Sequence, residues 1–117
     1  MPEYGGLKTH FASLGEVLGE MKGQRSESGN AYREFLRVTN MSAGLYVLAV
    51  GATDRQKPHR EDEIYYVIRG RARFNADVED REVSAGSVIF VAAEVVHRFY
   101  DITEELAVLV MFAPAES

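Results

Sequence analysis

Between Ala31 and Ala113 the chain is a succession of short apolar runs broken by turn residues, and no part of that stretch carries a sustained helical period. The runs AYREFLRVTN, GLYVLAVGA, EIYYVIRG, RARFNA, REVSAG, SVIFVAA, VHRFYDI and LAVLVMFA read as strands, separated by Gly, Asn, Asp and Ser. Short strands at this spacing restrict the chain to a β-sandwich or barrel, the architectures that bury many such strands at once. In GLYVLAVGA, Leu45, Val47 and Ala49 alternate with Tyr46, Leu48 and Val50, so both faces are apolar. That strand needs cover on each side, from a barrel interior and the N-terminal segment or from a partner subunit. A homodimer is the economical arrangement.

Upstream, FASLGEVLGEM sets Phe11, Leu14, Val17, Leu18 and Met21 at helical spacing, while Gly15 and Gly19 each weaken a helix by about 1 kcal/mol relative to Ala. A short helix or turns are expected, then a loop in KGQRSESGN. The organisation that follows is an N-terminal segment, residues 1–30, packing on a barrel of residues 31–117. A chain of 117 residues with 46% hydrophobic content is one domain with an ordinary core.

Eighteen acidic residues against thirteen basic ones give a net charge of −5, which disfavours phosphate backbones and anionic lipid and excludes nucleic acid as a partner. Cys is absent, so no disulfide, Cys-type zinc site or thiol nucleophile exists. Neither a secretory leader nor an apolar run of about 18 residues is recognisable, so a cytoplasmic protein without a membrane partner is expected.

The stretch KPHREDEIYYVIRG loads charge onto the start of an apolar strand. In an extended chain His59, Glu61 and Glu63 share one face, continued by Tyr65 and Val67. Two carboxylates and an imidazole entering an apolar interior call for neutralisation, and a divalent cation supplies it. His97, on another run, adds a second imidazole. His59, Glu63 and His97 together form a donor set for iron, manganese, zinc or nickel with open positions for other ligands. Tyr65 and Glu61, on the same face, are the candidate proton donors or acceptors. Tyr46, Tyr65, Tyr66, Phe90, Phe99 and Met111 read as barrel wall. No phosphate-binding Gly-rich loop, Ser-His-Asp set or dinucleotide fingerprint occurs.

At these residues the chain resembles the cupins. Their first motif runs His-x-His, three or four residues, Glu, six residues, Gly; here three residues separate His59 from Glu63, and six separate Glu63 from Gly70. Their second motif is matched by Gly86, the run SVIFV, Ala92 in place of Pro, Glu94 in place of Gly, His97, and Asp101 in place of Asn. The resemblance spans about Leu45 to Pro114. It implies an all-β fold, a double-stranded β-helix or jelly-roll barrel, here with a short N-terminal helical or irregular segment. It also implies a metal near one mouth and dimerisation through outer sheet faces.

Lys57 stands where the family has the first His of its pair. Three arrangements remain open: three protein ligands, His59, Glu63 and His97; a fourth ligand in Glu61; or a metal-free barrel in which Lys57 neutralises Glu63. Lys57 is also placed to receive a substrate carboxylate or enolate. The function expected is metal-dependent action on a small organic molecule, of the non-haem dioxygenase type or a related oxidoreductase. The alternatives are a metal-dependent isomerase or lyase, and a module that binds metal or a small molecule without turnover.

Overall fold

In a computed structural model of the protein, residues 7–24 and 29–117 are described. Part of the N-terminal segment and of the expected KGQRSESGN loop, residues 1–6 and 25–28, lies outside them. The elements are α1 (Leu14–Glu20), β1 (Asn30–Val38), β2 (Met41–Leu48), β3 (Asp62–Ala76), β4 (Glu79–Ser84), β5 (Val88–Val91) and β6 (His97–Ala113). All strand pairs are antiparallel, in the order β1-β2-β6-β3-β4, with β5 on the same edge of β3 as β4.

The eight strand-like runs of the sequence become six strands. EIYYVIRG and RARFNA fuse into the 15-residue β3, and VHRFYDI and LAVLVMFA fuse through Thr103 to Glu105 into the 17-residue β6. These two strands pair with each other from Asp62–Ala113 to Ala76–His97. Continuous pairing overrides the turn signals, and the chain bends where the register shifts, between Val67 and Arg73 of β3. Gly70 occupies the bend with φ +100°, where a Cβ would overlap the Glu105 carbonyl and lie 2.7 Å from Leu106 Cα. Opposite it, β6 uses more residues than β3 between the pairs Arg71–Glu104 and Arg73–Tyr100, and Asp101 there takes φ 51°. Aspartate is one of the few residues that visit this left-handed region readily.

The bent pair runs through both halves of a jelly-roll barrel. Its interior is filled by Tyr46, Leu48, Tyr65, Val67, Phe74, Val83, Phe99, Leu106, Val108 and Val110, all buried. The opposite face of β2 is covered by α1. Ser13 caps that helix, its Oγ accepting from the Glu16 N–H at 3.4 Å, and Val17 and Met21 pack on Leu45, Val47 and Ala107. Both apolar faces of β2 are therefore covered within the chain. Phe11 precedes the cap and is 91% exposed, so the helical stripe begins at Leu14.

Two residues expected in the barrel wall point outward. Tyr66 and Phe90 alternate with inward-facing neighbours and are 41% and 63% exposed; with Ile64 and Val88 they form an apolar patch on the outer face of β3 and β5. Met111, paired with Ile64 across β6 and β3, is only partly buried. No described helix is long and apolar enough to cross a membrane.

Gly70→Ala tests the bend. Strain at the positive φ of about 1–3 kcal/mol, together with overlap on the β6 backbone, is expected to destabilise the protein by at least ~2 kcal/mol in urea unfolding. An unchanged midpoint would show that the bend does not depend on glycine.

Candidate metal centre

The interior alternation of β3 brings Glu63 and Tyr65 into the barrel, and its pairing with β5 and β6 holds them there. His97 opens β6 and faces the same space. His59 is not on the strand. It lies in the loop before β3, and its carbonyl accepts from the Glu94 N–H at 2.7 Å, while Asp62 Oδ1 accepts from Ala93 N–H at 2.9 Å. The segment between β5 and β6 thus fixes both the His59 loop and the start of β3. Donor atoms of His59, Glu63 and His97 all lie within 4.8 Å of one another.

The orientation of the two imidazoles matters most. His97 Nδ1 is 2.8 Å from the Val95 carbonyl, and His59 Nδ1 is 3.3 Å from Glu116 Oε2. With each Nδ1–H given to an oxygen, each Nε2 keeps its lone pair for the centre of the site, the arrangement in which outer hydrogen bonds orient metal-ligating histidines. Glu63 Oε1 is 2.8 Å from His97 Nε2, yet neither oxygen of this carboxylate, 2% exposed, receives a well-aligned hydrogen bond. A buried carboxylate lacking donors costs several kcal/mol unless a cation or proton lies against it. The donor set therefore fits a divalent transition metal.

Protonation follows the same geometry. The hydrogen bond to Glu116 holds His59 above its ordinary pKa, against the effect of burial. Burial likewise opposes charging of His97, but Glu63 and the Val95 carbonyl outweigh it and raise that pKa also. Burial, reinforced by the Glu63 charge, pushes the Tyr65 phenol far up, so it stays protonated. Its oxygen lies 2.9 Å from His97 Nε2 and 3.2 Å from Gln56 Oε1. Tyr65 thus belongs to the cluster as a hydrogen-bond donor.

Glu61 is buried but is turned to the C-terminal segment, its Oε2 accepting from the Ser117 N–H at 3.2 Å. It precedes the first strand residue, Asp62, so the extended face that would join it to His59 and Glu63 does not reach it. Lys57 is exposed and forms no ion pair with Glu63 among the described residues. Its predecessor Gln56 enters the site instead, with Oε1 3.2 Å from His59 Nε2. Asp54, Gln56 and Glu116 escape a reading of the sequence. Gln56 adjoins the expected first-His position, whereas Asp54 and Glu116 carry no local signal.

A cavity of about 200 Å³ adjoins the cluster, lined by Tyr32, Tyr46, Gln56, His59, Val110, Phe112 and Glu116. Gly44 lets the Tyr32 ring lie directly over β2, since a Cβ there would collide with its hydroxyl. A larger groove of about 630 Å³, between β4 and β5, contains none of His59, Glu63 or His97 and is set aside as the reaction site.

Comparison with known proteins agrees with the fold. The family model described as Cupin domain matches residues 44–113, more than half of the chain. An uncharacterized protein of Streptomyces coelicolor is 49% identical over 100 residues, covering 86% of this chain and 95% of its own. Among solved structures, an RmlC-like cupin from Shewanella frigidimarina is similar with a TM-score of 0.69 and 22% identity, over 80% of this chain and 87% of its own. A Thermus thermophilus protein is similar with a TM-score of 0.74 and 18% identity, over 92% and 99%.

Replacing Glu63 tests its role. In chelator-treated protein Glu63→Gln is expected to melt at or above the wild-type temperature, because a buried charge disappears. Destabilisation of ~3 kcal/mol or more would mean instead that His97 already satisfies the carboxylate as a buried ion pair.

Proposed function

The chain belongs to the cupin family, and on that footing we propose that it is a metal-dependent enzyme acting on a small organic molecule, an oxidoreductase of the non-haem dioxygenase type. The proposed ligands are His59, Glu63 and His97. The observation that carries this reading is the gathering of two imidazoles, each with Nδ1 held by an oxygen, around a buried carboxylate without a well-aligned donor of its own. Bound there, iron, manganese, zinc or nickel supplies Lewis acidity and, in the case of iron, redox chemistry with dioxygen.

The chain's own contribution is confinement and proton placement. The cavity is smaller than the roughly 300–1,000 Å³ of sites for drug-sized ligands, which favours a small substrate. Val110 and Phe112 give it apolar surface, and Tyr32 and Gln56 give it polar contacts. Among the described residues no Lys or Arg lines it. Tyr65, protonated and buried beside His97, holds a proton close to the ligand set. The place of that phenol, 2.9 Å from His97 Nε2, favours a second reading, isomerase or lyase chemistry in which Tyr65 gives a proton to the substrate.

Elemental analysis of protein purified without chelator is expected to find about one equivalent of a transition metal, lost in His97→Ala. Iron would be accompanied by substrate-dependent oxygen consumption. Tyr65→Phe is expected to keep the metal and, under the second reading, to lower turnover by about 10²–10⁴-fold, the usual contribution of a positioned proton donor. No metal in the wild type, and none taken up from iron, manganese, zinc or nickel, would refute metal dependence.

We also propose a homodimer, through the outer patch of Ile64, Tyr66, Val88 and Phe90. Clustered apolar side chains of this kind mark association surfaces. Sedimentation velocity is expected to show a dimer that Phe90→Glu converts to monomer with the fold retained; a wild-type monomer at high concentration would remove the proposal.

A further inference from the structure

Three side-chain contacts define which way the Gln56 amide faces, and its backbone adds a fourth. Its Nε2 donates to Asp54 Oδ2 at 3.1 Å, and its backbone N–H donates to Asp54 Oδ1 at 3.3 Å. Asp54, 6% exposed, is itself fixed, accepting from the Tyr46 hydroxyl at 2.8 Å and from the Phe99 N–H at 2.9 Å. A carboxylate can only accept hydrogen bonds, so the amide nitrogen must be the atom on its side. Oε1 is left facing His59 Nε2 and the Tyr65 hydroxyl, each at 3.2 Å.

The position of Oε1 suits a ligand. Two donor atoms each about 2.1 Å from one ion, at angles between those of an octahedron and a tetrahedron, stand about 3.0–3.4 Å apart. The separation of Gln56 Oε1 from His59 Nε2 lies in that range. His59 Nδ1 faces Glu116, so with Nδ1–H donated there, a neutral ring turns the lone pair of Nε2 toward Oε1. Two acceptors facing each other need a cation between them, either a metal ion or the proton that a charged His59 ring would place on Nε2. The carbonyl oxygen has a second lone pair, which can accept the Tyr65 hydroxyl.

We propose that Gln56 Oε1 is a fourth protein ligand of the metal, aimed by Asp54. It takes over the role left open by the Lys at position 57, although it lies one residue earlier. Lys57, exposed in solvent, is then free of the site. An amide oxygen adds a donor without adding charge, so the ligand set keeps one carboxylate and two neutral imidazoles. This inference rests on the metal reading of His59, Glu63 and His97, and its test separates the two.

The test uses the full-length chain, stripped of metal and titrated with cobalt(II) against a competing chelator, while the visible d–d spectrum is recorded. Gln56→Leu is expected to bind one equivalent ~10- to 100-fold more weakly, the range associated with disturbance of a metal site, with altered d–d bands. Gln56→Ala, which relieves any steric fault of leucine, is expected to agree. If the variants are less stable, the cobalt-induced rise in melting temperature is compared with that of the wild type, which separates ligation from folding. Wild-type affinity and an unchanged spectrum in both variants would overturn the role of Gln56 alone. Failure of the wild type to bind cobalt, or undiminished binding by His97→Ala, would overturn the metal reading and this inference with it.

Discussion

Everything in this barrel hangs on the pairing of β3 with β6. The two strands stay hydrogen-bonded from one end to the other, and each other strand except β1 pairs directly with one of them. A single flat ribbon of that length would expose one face along its whole run. Bending it at Gly70 and Asp101 folds the ribbon over, so Phe74 and Phe99 from one half pack with Tyr65 from the other. Ring centroids separated by 4.7 to 5.8 Å in tilted and edge-on geometry fill the space between the halves. The site is a by-product of the same bend, since Glu63, paired with Phe112, and His97, paired with Ala76, stand at opposite ends of the ribbon and come within 2.8 Å only because it folds over.

At that end of the barrel polar groups replace apolar packing, and their arrangement is layered. Around His59, Glu63 and His97 stand Gln56 and Tyr65, and behind them Asp54, Val95 and Glu116. Asp54 accepts four hydrogen bonds, from Tyr46, Gln56 twice and Phe99, which is close to the full capacity of a carboxylate. Glu63 has none of good geometry. Two buried carboxylates nine residues apart therefore differ in kind: one is satisfied by hydrogen bonds from the protein and holds the frame, and the other has, in place of such bonds, the His97 imidazole beside it at 2.8 Å.

The fold was legible because alternation in EIYYVIRG survives in β3 and that in GLYVLAVGA survives in β2 as far as Leu48, beyond which Val50 is exposed. The length of β3 and β6 was not, because Gly70 and the charged Thr103 to Glu105 look like chain reversals while their backbone continues to pair. Outward placement of Tyr66 and Phe90 follows from the same period of two that puts Tyr65 inside, but residue type alone suggested burial. At the site, His59, Glu63 and His97 stood out as ionisable residues within or beside apolar runs. Gln56 did not, since an amide beside a lysine draws no attention and its aim is set by Asp54. Glu116 is brought to His59 by Arg37, which donates to its carbonyl at 2.6 Å, and by Ser42, which accepts from its N–H at 2.9 Å. Contacts between such distant positions have no local trace.

The bond from the Phe99 N–H to Asp54 joins positions 45 residues apart, and it ties the loop that carries Gln56 and His59 to the strand that carries His97. Closing so long a loop is entropically unfavourable until other contacts have brought its ends together. The groups proposed as ligands are consequently separated until β6 has docked on β3 and its register brings them together. A cation bound to the converged set would act on the last stage of assembly, slowing escape from the finished barrel with little effect on how quickly the strands first find one another.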